Sequence, residues 1–185
     1  MIEINLPNKL TLLRIFLIPL LLVFLISPSF WPCFFAAIIF ALAAATDWLD
    51  GHLARVTNQV TLLGKLLDPV ADKLLVVSAL VPLVELDRVA AWIVVIIVGR
   101  EFAVSGLRMI ASAQGIHISA GSLGKYKMGA EITAILFLIL DFNILFHYLG
   151  QISILVAMVL SVLSASDYFV QFWNRLDDEK ATDLF

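Results

Sequence analysis

The chain has 185 residues, 62% of them hydrophobic and only 15% charged, with a mean hydropathy of +1.01. A soluble domain lies nearer half apolar and a quarter charged, so the composition points to a polytopic membrane protein. The formal net charge of −3 includes no basic run suited to nucleic acid, and a single cysteine, Cys33, excludes an internal disulfide.

The opening segment MIEINLPNKLT is short and mildly amphipathic, with Pro7-Asn8 as a helix-start signal, and is expected to lie along the membrane surface. No small-x-small cleavage site follows the first apolar run, so that run is expected to be a retained helix rather than a signal peptide. Spans are expected over about 10–26, then 31–45 continuing into a motif at Asp47, then 64–84, 89–113, 125–146 and 149–173, before a polar tail. Each is near the ~20 residues that cross a bilayer. The expected fold is therefore an all-α integral membrane domain over 1–185, with six transmembrane helices after a short N-terminal interfacial segment. Six spans put both termini on one side. Lys9, Arg14, Arg55, Lys65, Lys73, Arg108, Lys125, Lys127, Arg175 and Lys180 then fall on or near that side, and only Arg88 falls clearly on the other. That asymmetry makes the terminal side cytoplasmic.

Four carboxylates interrupt this apolar chain at Asp47, Asp50, Asp68 and Asp72. On helices, a pair three apart and a pair four apart each project from one face. Gly51, Ala54, Arg55 and Gly64 lie between them, small and basic enough to admit a phosphate close to the backbone. No Cys interleaves and the one intervening histidine, His52, reads as interface packing, so the all-carboxylate set favours two Mg²⁺ or Mn²⁺ ions over zinc. Asp47, Asp50 and Asp68 are the expected metal ligands. Asp72, a turn deeper, is placed both to touch metal and to take a proton from an incoming hydroxyl. Helix capping accounts for one or two of these acids, not for four at this spacing.

Other charges lie deep. At ~1.5 Å per residue, Arg100 and Glu101 sit roughly 17 Å into the fourth span. Each such group costs on the order of 2.5–3.5 kcal/mol to insert, so they must face one another, a metal or a wet cavity. Glu101, Ser105, Arg108 and Ser112 form one polar stripe, Arg100 lies beside it, and Lys125 and Lys127 open the fifth span at the same level. Glu131, one turn beyond Lys127, is placed to pair with it. Arg and Lys gathered near a metal site suggest an acceptor that itself carries phosphate. Rival readings are a cation transporter with the acids as an ion path, and a purely structural membrane protein.

Asp47-x-x-Asp50-Gly51-x-x-Ala54-Arg55, eight residues, then Gly64-x-x-x-Asp68-x-x-x-Asp72 resembles the complete signature of the CDP-alcohol phosphatidyltransferase family. The resemblance implies an integral membrane enzyme that joins a CDP-activated lipid or alcohol to a second alcohol and releases CMP. It implies metal binding by the first three Asp, and a general base, also able to bind metal, at Asp72. It further implies contacts to the CDP-lipid from Asn8, Thr11, Gly51, Ala54, Arg55 and, more loosely, Thr61. Leu6-Pro7-Asn8-x-Leu10-Thr11-x-x-Arg14, Gly99-Arg100-Glu101-Phe102, Ser105-Gly106-Leu107-Arg108 and Gly124-Lys125-x-Lys127 are similar to a bacterial branch of the family. Its members transfer the phosphatidyl group from CDP-diacylglycerol to sn-glycerol 3-phosphate. Arg100, Arg108, Lys125 and Lys127 then become the expected acceptor-phosphate contacts, with inositol phosphate as the alternative acceptor. Met128 departs from the small hydroxyl residue expected there. The resemblance also implies a homodimer in the bacterial inner (cytoplasmic) membrane, with termini and active site cytoplasmic.

Less is expected of the remaining residues. His117 and His147 are isolated, Asp167 is placed to line the cavity or pair with a neighbour, and Trp31, Trp92 and Trp173 read as interfacial anchors. Cys33 and the alanine runs at 36–37 and 43–45 read as packing.

Overall fold

Among the described residues of the computed structural model, six α-helices follow one another: α1 Leu6–Leu25, α2 Phe30–Thr57, α3 Leu62–Glu85, α4 Ala91–Ala113, α5 Ser122–Ile139 and α6 Ile144–Thr182. The structure describes the backbone of residues 6–27, 29–57, 62–113 and 122–182, and the side chains of 9–27, 29–46, 67, 69–112, 124 and 126–175. Among the described residues there is no strand. The two helices that carry the Asp motif, α2 and α3, are consecutive in the chain and in contact. Among the described residues, Ile144–Arg175 is the one stretch long and apolar enough to cross a membrane by length and composition, with a mean hydropathy of 2.0; Phe30–Thr46 is apolar but shorter.

The helix ends show why the chain turns where it does. At the end of α3, Arg88 N–H bonds Leu83 O at 2.9 Å and Asp87 N–H bonds Val84 O at 3.0 Å, with Asp87 at φ 55°. This is a Schellman end, and Asp is among the few L-residues that adopt the left-handed conformation it requires. Two expected boundaries are corrected. The fifth helix stops at Ile139, not near 146, and the sixth starts at Ile144 and runs on to Thr182. Asn143 decides this. Its Oδ1 accepts from Phe146 N–H at 3.0 Å, an N-cap that starts a new helix inside an apolar run. The N-terminal segment also differs from expectation: Leu6–Thr11 belongs to α1 itself. Pro7 is compatible with that, because first-turn N–H groups have no intrahelical acceptor to lose.

α1 packs on α2 and α3, while α6 packs on α5 and α4; α2–α5 and α3–α4 contacts join the two sets. The shared core takes Leu21 and Leu25 from α1, Ala36, Ala43 and Phe40 from α2, and Leu80 and Leu83 from α3. Ile93 and Ile97 join it from α4, and Leu138, Ile139 and Ile154 from α5 and α6. The alanines let α2 approach its neighbours closely. Gly150 does the same for α6, since a Cβ there would stand 3.0 Å from Leu138 Cδ2. Outward faces carry large apolar side chains such as Phe16, Val23, Val95, Trp31 and Trp173, whereas Arg14, Lys127 and Glu131 are buried.

The end opposite the Asp motif is closed by polar contacts. Arg88 Nη1 donates to Leu138 O and Ile139 O at 3.2 and 2.8 Å, capping α5, and lies 3.6 Å from Cys33 Sγ. Gln151 Nε2 holds Arg88 O at 2.8 Å. His147 is not isolated: its Nδ1 sits 3.0 Å from Asp141 Oδ2.

Candidate active site

A cavity of about 430 Å³ opens between α2, α3, α4, α5 and α6. Phe40 and Ala44 form its α2 side, and Asp72 and Val76 its α3 side. Arg100, Glu101, Ser105 and Arg108 come from α4, Lys127 and Glu131 from α5, and Ser164 and Tyr168 from α6. The polar stripe expected on the fourth helix thus lines a cavity through Glu101, Ser105 and Arg108, while Ser112 is exposed away from it.

Asp72 is held from behind. Arg14 of α1 is buried and donates from Nη1 to Asp72 Oδ1, while its Nε reaches Ala43 O at 3.3 Å. One guanidinium therefore ties α1 to α2 and α3 at the Asp-bearing ends. A charged donor of this kind makes a stronger hydrogen bond than a neutral one and fixes the carboxylate's orientation.

Across the cavity, the cations divide into two kinds. Arg100 is fully engaged: Nε donates to Ser161 O at 2.8 Å, Nη1 to Glu101 Oε1 at 2.6 Å and Nη2 to Ser164 Oγ at 2.8 Å. Lys127 pairs with Glu101 Oε1 and with Glu131 Oε2, the latter at 2.8 Å as the i,i+4 spacing predicted. Arg108 is different. Its Nε donates to Tyr168 Oη at 3.2 Å, its Cζ lies 5.4 Å from that ring's centroid, and among the described residues it pairs with no carboxylate. A guanidinium supported by an aromatic ring with its terminal nitrogens uncommitted suits a planar, bidentate anion.

The other expected site residues are placed as follows. Asp47, Asp50, Gly51, Ala54 and Arg55 lie on α2, Asp68 on α3, Asn8 on α1 and Lys125 on α5, with side chains outside the described residues; Thr61 lies outside them altogether. Thr11 is buried on α1, one turn before Arg14. Asp167 faces away from the cavity and accepts from Gln171 at 3.0 Å. The sequence reasoning missed three contributors: Arg14 as the partner of Asp72, Tyr168 as the support of Arg108, and the Ser161/Ser164 pair that receives Arg100. A signal existed for the last two, since Ser161, Ser164 and Tyr168 repeat at i, i+3 and i+7 along one face of α6.

Divalent metal is implied by the Asp motif. Among the described residues no three His, Cys, Asp or Glu side chains gather as a metal site, and three of the four motif carboxylates lie outside them. The residues present fit hard cations nonetheless. Asp47 and Asp50 share a register on α2, Asp68 and Asp72 share one on α3, and these two helices are in contact. The donors are all oxygen, and Asp72 stands on the cavity wall.

Helix-borne aspartates in signature spacing, one of them, Asp72, on the wall of a cavity with charged groups, point to a transferase for CDP-activated alcohols, and the CDP-alcohol phosphatidyltransferase family matches residues 4–163. The chain belongs to that family. Curated relatives named CDP-diacylglycerol–glycerol-3-phosphate 3-phosphatidyltransferase align over nearly their whole length. The protein of Bacillus subtilis (strain 168) is 41% identical, covering 93% of this chain and 97% of its own. That of Escherichia coli (strain K12) is 38% identical, covering 90% and 93%. That of Wigglesworthia glossinidia brevipalpis is 36% identical, covering 94% and 98%.

Proposed function

We propose that the chain transfers the phosphatidyl group from CDP-diacylglycerol to sn-glycerol 3-phosphate, giving phosphatidylglycerophosphate and CMP. The observation that carries this is the placement of Asp72 and Arg108 on one cavity, a carboxylate oriented by a buried arginine and an arginine that pairs with no acid among the described residues. The relatives' shared name supports the same substrates.

In this reading Arg108 receives the acceptor phosphate. Arg100 and Lys127 hold the cavity wall in shape, and Lys125 of α5 would add to the acceptor-phosphate contacts. The acceptor's primary hydroxyl oxygen attacks the phosphorus that bears the diacylglycerol, the bond to CMP breaks, and the hydroxyl proton passes to Asp72. Arg14 keeps Asp72 turned towards that hydroxyl. Asp47, Asp50, Asp68 and Asp72 would hold two Mg²⁺ or Mn²⁺ ions, which when bound offset the negative charge of the diphosphate. Asn8, Thr11, Gly51, Ala54, Arg55 and Thr61 would contact the CDP-lipid.

The chain acts as a single domain, a six-span enzyme of the bacterial cytoplasmic membrane, with both termini and the Asp motif on the cytoplasmic side. Support comes from its surface, where Phe16, Val95 and Trp173 face outward while Arg14, Lys127 and Glu131 face inward, the reverse of a soluble protein. Family resemblance extends the reading to a homodimer.

The test is CMP release by purified protein in detergent, given CDP-diacylglycerol and Mg²⁺ or Mn²⁺, with glycerol 3-phosphate, inositol phosphate and serine in parallel. Metal-dependent release with glycerol 3-phosphate alone is expected. Release only with another acceptor overturns the acceptor assignment, and none with folded protein overturns the class.

A further inference from the structure

Glu131 is buried to 3% exposure on the cavity wall, and its two carboxylate oxygens have unequal surroundings. Oε2 takes the Lys127 ammonium at 2.8 Å. Among the described residues Oε1 has no hydrogen-bond partner. A buried carboxylate oxygen without a donor is costly, so such a group usually marks a place where a donor arrives from elsewhere.

The nearby cations are otherwise occupied. Lys127 bridges Glu131 to Glu101, and Arg100 is bonded to Glu101, Ser161 and Ser164. Among the described residues none donates to Glu131 Oε1, which points to a donor that enters the cavity. Phosphate cannot serve, because at neutral pH its oxygens chiefly accept and a carboxylate repels it. A neutral hydroxyl can. We infer that Glu131 is a specificity-determining residue that accepts a hydrogen bond from a non-reacting hydroxyl of the acceptor, which makes the site selective for phosphorylated polyols. This rests on the proposed function, in which Arg108 takes the phosphate and Asp72 the reacting hydroxyl.

Sites that hydrogen-bond a substrate hydroxyl discriminate strongly against the analogue lacking it, because the protein's acceptor is then left unpaired. The experiment compares glycerol 3-phosphate with 3-hydroxypropyl phosphate, which keeps the phosphate and the primary hydroxyl and lacks only the secondary one. The readout is the ratio of their kcat/KM values, measured by CMP release. In the wild type a ratio of about a hundredfold is expected, the worth of one hydrogen bond to a charged group. Glu131→Met, which removes both oxygens, should bring it to within about threefold of unity. Glu131→Gln keeps the shape with a weaker neutral acceptor, and should lower the ratio by roughly three- to tenfold. A purely structural Glu131 would slow both acceptors equally and leave the ratio unchanged. A wild-type ratio near one, or an unchanged ratio in whichever variant folds, overturns the inference while leaving glycerol 3-phosphate as acceptor. No turnover with glycerol 3-phosphate in the wild type overturns the underlying reading as well.

Discussion

Arg14 and Asp72, 58 residues apart, meet as a buried guanidinium and a cavity-facing carboxylate, and this pair fixes α1 against the Asp-bearing end of α3. Arg14→Met should therefore act on both stability and turnover. The stability loss should be about 1–2 kcal/mol, because Asp72 is partly open to water and its share of the pair is screened. Turnover should fall more, about 10²-fold, since a carboxylate free to rotate spends less time aligned with the hydroxyl. Arg14→Lys keeps one charged donor and should recover part of both. Thermal unfolding in detergent and CMP release, measured on the same preparations, check this.

Asp72→Asn removes the proposed proton acceptor while preserving shape. CMP release should drop by about 10²–10⁴-fold, with CDP-diacylglycerol affinity changed only a few-fold. Equal loss of binding and turnover would assign Asp72 to holding the donor instead.

Arg108 and Arg100 should separate cleanly, although both are arginines on α4. Arg108→Ala should raise the acceptor KM by about 10–100-fold and leave the CDP-diacylglycerol KM within about twofold, since a charged hydrogen bond to phosphate is lost. Arg100→Ala should instead lower stability by about 2 kcal/mol and reduce kcat without favouring either substrate, because its partners are Glu101, Ser161 and Ser164. Steady-state kinetics with each substrate varied in turn distinguish the two.

Chelation by EDTA should abolish CMP release, and Mg²⁺ or Mn²⁺ should restore it. Asp68→Asn should remain inactive at every metal concentration. Activity retained in Asp68→Asn with unchanged metal dependence would take Asp68 out of the ligand set.

Arg88→Ala should destabilise without touching kinetics. It removes the cap on the Leu138 and Ile139 carbonyls at the end distant from Asp72. A loss of about 1–3 kcal/mol in thermal stability is expected, with KM values for both substrates unchanged.

The sequence by itself determined the features that are local along the chain. Six apolar segments of helical length follow from composition, and the Asp motif is readable because its members lie three or four residues apart on single helices. The Lys127–Glu131 pair was legible for the same reason. It misplaced the α5–α6 junction because Asn143 caps a helix within an otherwise continuous apolar run. Tertiary structure alone decided which charges are committed. Arg100 finds Ser161 and Ser164 across 61 and 64 residues, and Arg108 finds Tyr168 across 60. Periodicity shows which face of a helix is polar. Which neighbouring helix meets that face depends on packing, and no spacing within one helix encodes it. That is why four equivalent basic residues in the sequence became, in the folded chain, two tied to acids on the cavity wall, one, Arg108, supported by Tyr168, and one, Lys125, whose side chain lies outside the described residues.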